Sequence, residues 1–201
     1  FLFIPANWYS YSKSETALNP LKITLELYFL QREVVNELND IIRTPYMLSI
    51  NISGQNIFII NNHLRANYDG DWDENERKVA LEKLKEYVSG VLSKENVIIL
   101  GDLNDELTES EDDNVFWTFI SKPEEYLFVD MDIASGSPDY WSYPSYPSHI
   151  DHIIITAPLE EAFKASQSSI QILPLDLSFS SWDDYDFMIS DHRPLQLILD
   201  Y

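Results

Sequence analysis

The sequence predicts a mixed α/β fold, in which strands alternate with helices along the chain. Residues 97–100 are four consecutive apolar and mostly β-branched residues, the pattern of a strand buried on both faces. A helical pattern precedes them, with apolar residues three and four positions apart at Ala80, Leu84, Tyr87, Val88 and Val91. Because a β-rich run lies before that helix, the order strand, helix, strand is established.

The remaining elements are predicted from local patterns. Residues 46–52 and 56–60 flank Ser53-Gly54-Gln55 and predict an antiparallel hairpin, and residues 24–28 alternate like a strand. Asp73 is the expected N-cap of the helix, with Glu74 and Glu76 in its first turn. Further along the chain we expect a short helix at 115–120, a long ordered loop at 135–148, and strands at 127–129, 148–155 and 195–199.

Composition limits the function. At 201 residues, with 45% hydrophobic and 13% aromatic residues, the chain is expected to form one globular domain spanning 1–201. Its net charge of −21 argues against a nonspecific nucleic-acid binder with a basic surface, although an acidic protein can handle a phosphate through a divalent cation. No cysteine is present, and no apolar run approaches the length of a membrane span.

Polar residues collect at the ends of the predicted strands. Asp102 and Asn104 are two residues apart after the strand at 97–100, so their side chains are expected to face the same way. The four histidines lie beside Asn or Asp at predicted strand ends: His63, His149, His152 and His192. Each alone is more often structural, but together they favour a functional site.

Four short motifs, in this order, resemble those of the endonuclease/exonuclease/phosphatase superfamily, the deoxyribonuclease I-like proteins. The matches are Asn62-His63-Leu64, Gly101-Asp102-Leu103-Asn104, Ile150-Asp151-His152 and Ser190-Asp191-His192. The match is clearest over residues 43–201. Residues 140–152 further resemble a bacterial, Bacteroidetes-type branch of the superfamily.

The resemblance implies an αββα four-layer sandwich and a metal-dependent phosphoesterase. His192 would orient or deprotonate the attacking water, with Asp151 holding its imidazole. His63 would contact the scissile phosphate and assist the leaving oxygen, and Asn104 would donate a hydrogen bond to a phosphate oxygen. Asp102 would position the nucleophile or a metal ion, and Asp191 would face Mg²⁺ or Mn²⁺.

The residue types agree with this chemistry without the family name. Hydrolysis of a phosphate ester needs a base for water, a donor for the leaving group and compensation of negative charge. Because few Lys or Arg residues lie near these motifs, compensation is left to a metal ion. The expected partner is a phosphate-ester substrate, which could be a small phosphodiester, a sugar phosphate, a nucleic acid or a lipid headgroup. The negative charge makes long duplex DNA less attractive than the small substrates. A monomer outside the cytoplasm is also expected.

One departure from the family supports an alternative function. The strand carrying Asn and the Gln-Glu element whose Glu is the principal metal ligand are not found, so the amino-terminal part of the family domain is expected to be absent and the fold partial. The alternative is therefore a catalytically silent member that acts as a binding module.

Several of these residues also have a structural interpretation. Asp191 could form a surface ion pair with Arg193, and Asp102 could be a turn residue at a strand end. Asp69, Asp71 and Asp73 alternate like calcium ligands, but the EF-hand pattern fails after them, so a solvated loop and helix cap are expected.

Three further segments are predicted to lie outside the catalytic group. The acidic run at 105–113 is expected to be solvated surface. His149 and His152 are expected to point away from Asp151 and at most to shape the neighbourhood. The aromatic loop at 140–146 is either a cover for the core or a wall of the substrate cleft.

Overall fold

The structure is a computed structural model that describes residues 24–29, 45–52 and 54–200. Within these ranges the strands are β1 (Thr24–Phe29), β2 (Tyr46–Ile52), β3 (Gln55–His63), β4 (Asn96–Asp102), β5 (Tyr126–Phe128), β6 (Asp151–Thr156), β7 (Ser169–Ile172) and β8 (Leu195–Ile198). The α-helices are α1 (Asp71–Val91), α2 (Trp117–Ile120), α3 (Met131–Ala134), α4 (Glu160–Lys164) and α5 (Trp182–Met188). Short 3₁₀ helices cover Pro138–Tyr140, Ala157–Leu159 and Leu175–Ser178.

Six strands form a central mixed sheet in the order β1-β2-β3-β4-β6-β5. The predicted hairpin is confirmed, because β2 and β3 pair antiparallel with Ile52 opposite Gln55. β4 runs parallel to β3 and antiparallel to β6. Helix α1 makes the crossover that a parallel pair requires. The strand predicted at 97–100 therefore lies inside the sheet.

The two faces of β4 enter different cores, as expected for a strand buried on both faces. Val97 and Ile99 pack on the helical side with Leu81, Leu84 and Val88 of α1. Ile98 belongs to the opposite core, with Ile153 and Ile155 of β6, and Leu100 packs against that core.

The second core is covered by a smaller sheet. β7 and β8 pair antiparallel, and Ile170, Leu195 and Leu197 pack against it. The described residues thus form helices, a six-stranded sheet and a two-stranded sheet in layers. Among them, no helix has both the length and the apolar character needed to span a bilayer.

The start of α1 differs from the prediction. The helix begins at Asp71 after Gly70, and Asp73 is not its N-cap. The Asp73 side chain is fully buried, where it pairs with Arg65 and accepts hydrogen bonds from the backbone N–H groups of Tyr68 and Asp69. The solvated role expected for Asp73 is therefore wrong, because its carboxylate organises the loop that follows β3.

Three smaller predictions also need correction. Val91 is 64% exposed, and Leu81 takes its place in the buried stripe of α1. Strand β7 was not predicted, although Ile170 and Ile172 alternate with polar residues as strand residues do. Asp105 of the acidic run is buried and ion-paired with Arg77, whereas residues 108–113 are exposed as expected.

Candidate active site

Three of the predicted site residues lie side by side across the central sheet. His63 ends β3 and pairs with Asp102, the last residue of β4. Asp102 pairs in turn with Asp151, the first residue of β6. Because residues directly opposite one another share a face of a sheet, these side chains form one row at the sheet edge. His63 Nε2 lies 3.3 Å from Asp102 Oδ2.

Glycine is required at position 101, directly before Asp102. Gly101 has φ +133, and a Cβ built on it would lie 1.9 Å from the backbone oxygen of Asn62. A side chain therefore cannot fit between β3 and β4 at this point. The Gly-Asp motif thus reflects the close approach of the two strands that carry His63 and Asp102.

Asn104 lies in the turn that leaves β4. Its φ of 54 is left-handed, a conformation that Asn tolerates better than most residues. Its backbone N–H donates to Asp102 Oδ1 at 3.1 Å, and its side-chain Nδ2 donates to the Leu64 carbonyl at 3.0 Å. These bonds fix Asn104 between the ends of β3 and β4, with a second Nδ2–H that neither of them uses.

His192 completes the group from a different part of the chain. Its Nδ1–H donates to Asp151 Oδ2 at 2.7 Å. Its backbone is fixed by Ser190 Oγ, which accepts from the His192 N–H at 3.0 Å, and by Tyr185 Oη–H, which donates to the His192 carbonyl at 2.8 Å. The neutral ring would then carry its lone pair on Nε2.

Electrostatics at His192 favour the charged ring. Burial opposes the imidazolium, but the hydrogen bond and charge of Asp151, together with Asp102 and Asp191, raise the pKa of His192 to about 9. For Asp151, burial favours the neutral acid, but the bond to His192 outweighs it and lowers the pKa of the carboxyl. The pair is thus an imidazolium and a carboxylate within a group of three acids.

Arg193 does not form the ion pair that was considered for Asp191. Its Nε and Nη2 donate to the two carboxylate oxygens of Asp176 at 2.9 and 2.8 Å, and its Nη1 donates to the Asp139 carbonyl at 2.9 Å. Asp191 is exposed beside His192. The surface-pair interpretation of Asp191 is therefore wrong, and its carboxylate is not engaged by the neighbouring guanidinium.

The aromatic loop contributes contacts that the sequence did not predict. Tyr143 lies against His192 with ring centroids 4.8 Å apart. Ser142 is fully buried: its hydroxyl accepts from the Asp151 N–H at 3.3 Å, and its carbonyl accepts from the Arg193 N–H at 2.7 Å. Tyr140 is 70% exposed, so it does not cover the core. The contact of Tyr143 with His192 supports the cleft-wall interpretation of this loop.

His149 and His152 are buried in the protein. Both contact Asp130, and these three side chains form a group, among the described residues, close enough together to hold a metal ion. This group differs from the predicted metal residues Asp102 and Asp191. The predicted absence of the metal-ligating Glu falls on residues largely outside the described ranges, so it stays a prediction.

No protein-family model matches the sequence, and no curated protein matches it. The chain is similar to the structure of a D. rerio TDP2 humanized by 14 mutations, with a TM-score of 0.60 and 13% identity over 89% of this chain and 68% of that one. D. rerio TDP2 complexed with a single-strand DNA product matches 89% of this chain and 69% of its own, with a TM-score of 0.59 and 13% identity. An AP endonuclease from Archaeoglobus fulgidus matches 77% of this chain and 65% of its own, with a TM-score of 0.54 and 16% identity.

The chain has the deoxyribonuclease I-like fold. The fold that the four sequence motifs implied is therefore confirmed. In this fold the motifs converge on one edge of the central sheet, where they bring together His63, Asp102, Asn104, Asp151 and His192. The catalytic roles of these residues remain predictions.

Proposed function

We propose that this deoxyribonuclease I-like protein is a metal-dependent phosphoesterase that hydrolyses a phosphodiester or phosphomonoester. The proposal is carried by the His192–Asp151 hydrogen bond of 2.7 Å beside the carboxylate of Asp102. A carboxylate behind an imidazole fixes the tautomer and orientation that a general base needs. His63 of the same row and Asn104 of the turn after β4 provide donors for the leaving oxygen and the phosphate.

Each side chain has one task in this proposal. His192 Nε2 takes a proton from water as the water oxygen bonds to phosphorus, and Asp151 holds the ring from the opposite side. The bond from phosphorus to the leaving oxygen breaks, and His63 supplies a proton to that oxygen. Asn104 donates its remaining amide hydrogen to a phosphate oxygen.

The donor set near His192 fits a divalent cation. Asp102 and Asp191 supply carboxylate oxygens, the ligands that Mg²⁺ and Mn²⁺ prefer, and the adjacent Arg193 is held by Asp176. Such a cation would neutralise the charge that develops on the phosphoryl group. The step requires a neutral ring, whereas Asp151, with smaller contributions from Asp102 and Asp191, raises the pKa of His192. A cation held by Asp102 and Asp191 would offset part of that effect.

The substrate class follows from charge and from the fold. The complex of D. rerio TDP2 holds a single-strand DNA product, which supports single-stranded nucleic acid as one candidate. The net charge of −21 favours small phosphodiesters or lipid headgroups over long duplex DNA.

The proposal is tested by hydrolysis of bis(p-nitrophenyl) phosphate and p-nitrophenyl phosphate with Mn²⁺ or Mg²⁺, with a chelator as the control. Metal-dependent release of p-nitrophenol is expected. His192→Gln and Asp151→Asn are each expected to lower kcat by about 10²-fold to 10⁴-fold, the usual cost of losing a general base or its support.

A control variant tests whether the loss of any one charge lowers activity. Asp112→Asn removes one exposed carboxylate from the acidic loop and should leave kcat unchanged. If the folded wild-type protein shows no turnover with either ion, or if His192→Gln retains full activity, the phosphoesterase proposal is wrong. The first result would favour the binding-module alternative.

A further inference from the structure

Three titratable side chains are buried away from the cleft and have no task in the proposed reaction. Asp130 and His152 are fully buried, and His149 is 2% exposed. Phe116 and Phe128 pack edge-on against the His152 ring, so the surroundings are largely apolar. Charged groups are costly in such a place unless they are fully hydrogen-bonded.

The hydrogen bonds of His152 define its protonation. Its Nδ1 lies 2.7 Å from Asp130 Oδ2, and its Nε2 lies 2.8 Å from the Asp105 carbonyl oxygen. A carbonyl and an ionised carboxylate are both acceptors only, so both ring nitrogens must carry hydrogen. The His152 side chain is therefore an imidazolium.

Asp130 accounts for the opposite charge. Its Oδ1 accepts the Ile153 N–H at 3.0 Å, and its Oδ2 also faces His149 Nε2 at 3.0 Å. With a proton on Nε2, neutral His149 is left with a lone pair on Nδ1, which matches the lack of a partner for that buried atom among the described residues. The group then holds one negative and one positive charge.

A shared proton fits these distances better than a metal ion does. Ligands about 2.0–2.1 Å from a tetrahedral zinc are separated from one another by roughly 3.3 Å. The 2.7 and 3.0 Å separations from Asp130 Oδ2 are hydrogen-bond lengths. The group also offers three ligands, whereas a closed zinc site needs four.

The His152 imidazolium is linked to the row of His63, Asp102 and Asp151 through neighbouring residues. Asp105 comes directly after Asn104, and its side chain is held by Arg77 Nε at 2.9 Å. His152 comes directly after Asp151. The bond from His152 Nε2 to the Asp105 carbonyl therefore joins the loop after β4 to the start of β6.

We propose that His152 is a positioning residue, a buried imidazolium held between Asp130 and the Asp105 carbonyl that sets the loop bearing Asp102 and Asn104 against Asp151. The part that concerns catalysis rests on the proposed phosphoesterase function. The charged groups that face His152 agree with this assignment. Burial lowers the pKa of its ring, but Asp130, the Asp105 carbonyl and Asp151 outweigh burial and raise it.

The imidazolium is tested by ¹H–¹⁵N NMR of the wild-type side chains. His152 is expected to show two protonated ring nitrogens at pH 7, because both of its partners accept hydrogen bonds. A His152 ring with a single proton at pH 7 would overturn the proposal. A stoichiometric metal ion in the purified protein that is lost in His149→Gln would also overturn it, in favour of a metal site.

The positioning role is tested with His152→Gln and Asp130→Asn, with His149→Gln as the matched control in the same cluster. The first two variants should shift the backbone amide resonances of residues 102–105 and lower kcat by about tenfold or more, with KM changed less than about twofold. His149→Gln should leave those resonances in place and kcat within about threefold.

The two proposals fail differently. An inactive wild-type protein would refute the phosphoesterase, while the amide shifts would still decide the positioning role. An active wild-type protein with unchanged amide shifts and kcat in His152→Gln and Asp130→Asn would refute the positioning role alone.

Discussion

At the scale of single residues, the site depends on groups whose surroundings fix one state. Gly101 lies where the backbone of β3 leaves no space, and Asn104 adopts a left-handed conformation that most side chains disfavour. Asp130 is a buried acid whose lone pairs are occupied by Ile153 and two histidines. Gly101 and Asp130 each lead to a prediction that can be measured without knowledge of the substrate.

Gly101→Ala is expected to destabilise the protein by more than about 2 kcal/mol, because the new methyl group meets the Asn62 oxygen and the φ of +133 is strained for Ala. The matched control is Gly90→Ala. Gly90 lies in α1 with nothing within 4 Å of an added Cβ, so this variant should gain about 0.5–1 kcal/mol. Urea denaturation should show a lower free energy of unfolding for Gly101→Ala and a higher one for Gly90→Ala.

Protonation of the Asp130 carboxylate is expected to destabilise the protein in acid. Burial raises the pKa of its carboxyl, but the charges and hydrogen bonds of His152 and His149 outweigh burial and lower it from 3.8 to about 2. A depressed pKa contributes stability above the unfolded value, and this contribution, on the order of 2 kcal/mol, disappears as the pH falls from about 4 to about 2.

The measurement is the difference in unfolding free energy between wild type and Asp130→Asn as a function of pH. We expect a constant difference at pH 5–6 that shrinks below pH 4. The exposed neighbour Asp132 serves as the control, and Asp132→Asn should change the unfolding free energy little. A difference for Asp130→Asn that does not change between pH 5 and pH 2 would contradict the assignment.

At the scale of elements, Arg193 connects the segments around His192. Its guanidinium binds Asp176 of the 3₁₀ helix Leu175–Ser178 and the Asp139 carbonyl of the 3₁₀ helix Pro138–Tyr140, and it lies 5.9 Å from the Trp182 ring of α5. The Arg193 guanidinium therefore contacts three separate segments near His192.

Arg193→Gln and Asp176→Asn are each expected to lower stability by about 2–4 kcal/mol, because each leaves a largely buried partner without its charge. The double variant should cost less than the sum of the two, which a double-mutant cycle by thermal unfolding measures. The exposed pair of Lys164 and Glu160 provides the comparison, and its coupling should be close to zero. Additive costs for Arg193 and Asp176 would show that the pair does not act as a unit.

Elements with strong local patterns were predictable from the sequence. The strand at 97–100 and the hairpin before it follow from apolar periodicity, and the motif residues follow from their places at strand ends. The predicted start of α1 was wrong. Asp is a common N-cap residue, but the Asp73 carboxylate pairs instead with Arg65 in the preceding loop. Tertiary contact decided between two roles that look the same in the sequence.

The contacts that the sequence could not predict are long-range ones. Asp130 lies 19 and 22 residues from the histidines it binds, and Arg77 lies 28 residues from Asp105. Ser142 reaches Asp151 only because the aromatic loop folds back on β6. No periodicity records such pairs, since they depend on how separate elements pack.

At the scale of the whole molecule, a net charge of −21 predicts an unusual salt dependence for a phosphoesterase. The protein repels an anionic substrate over distances of about a Debye length, so added salt screens this repulsion. We expect kcat/KM for bis(p-nitrophenyl) phosphate to rise as NaCl increases from 20 to 200 mM at a saturating concentration of the metal ion. A fall over this range, as for an enzyme with a basic surface, would contradict the prediction.

The order of strands in the central sheet also determines when the site can exist. β2 and β3 form a hairpin between neighbours in sequence, and such local pairs assemble within microseconds. The row of His63, Asp102 and Asp151 instead requires strands that are about 40 and 50 residues apart to dock on either side of β4. Contacts of such long range are slow to close, so a nascent or partly folded chain has no assembled row. The proposed hydrolysis of phosphate esters would therefore begin only at the end of folding.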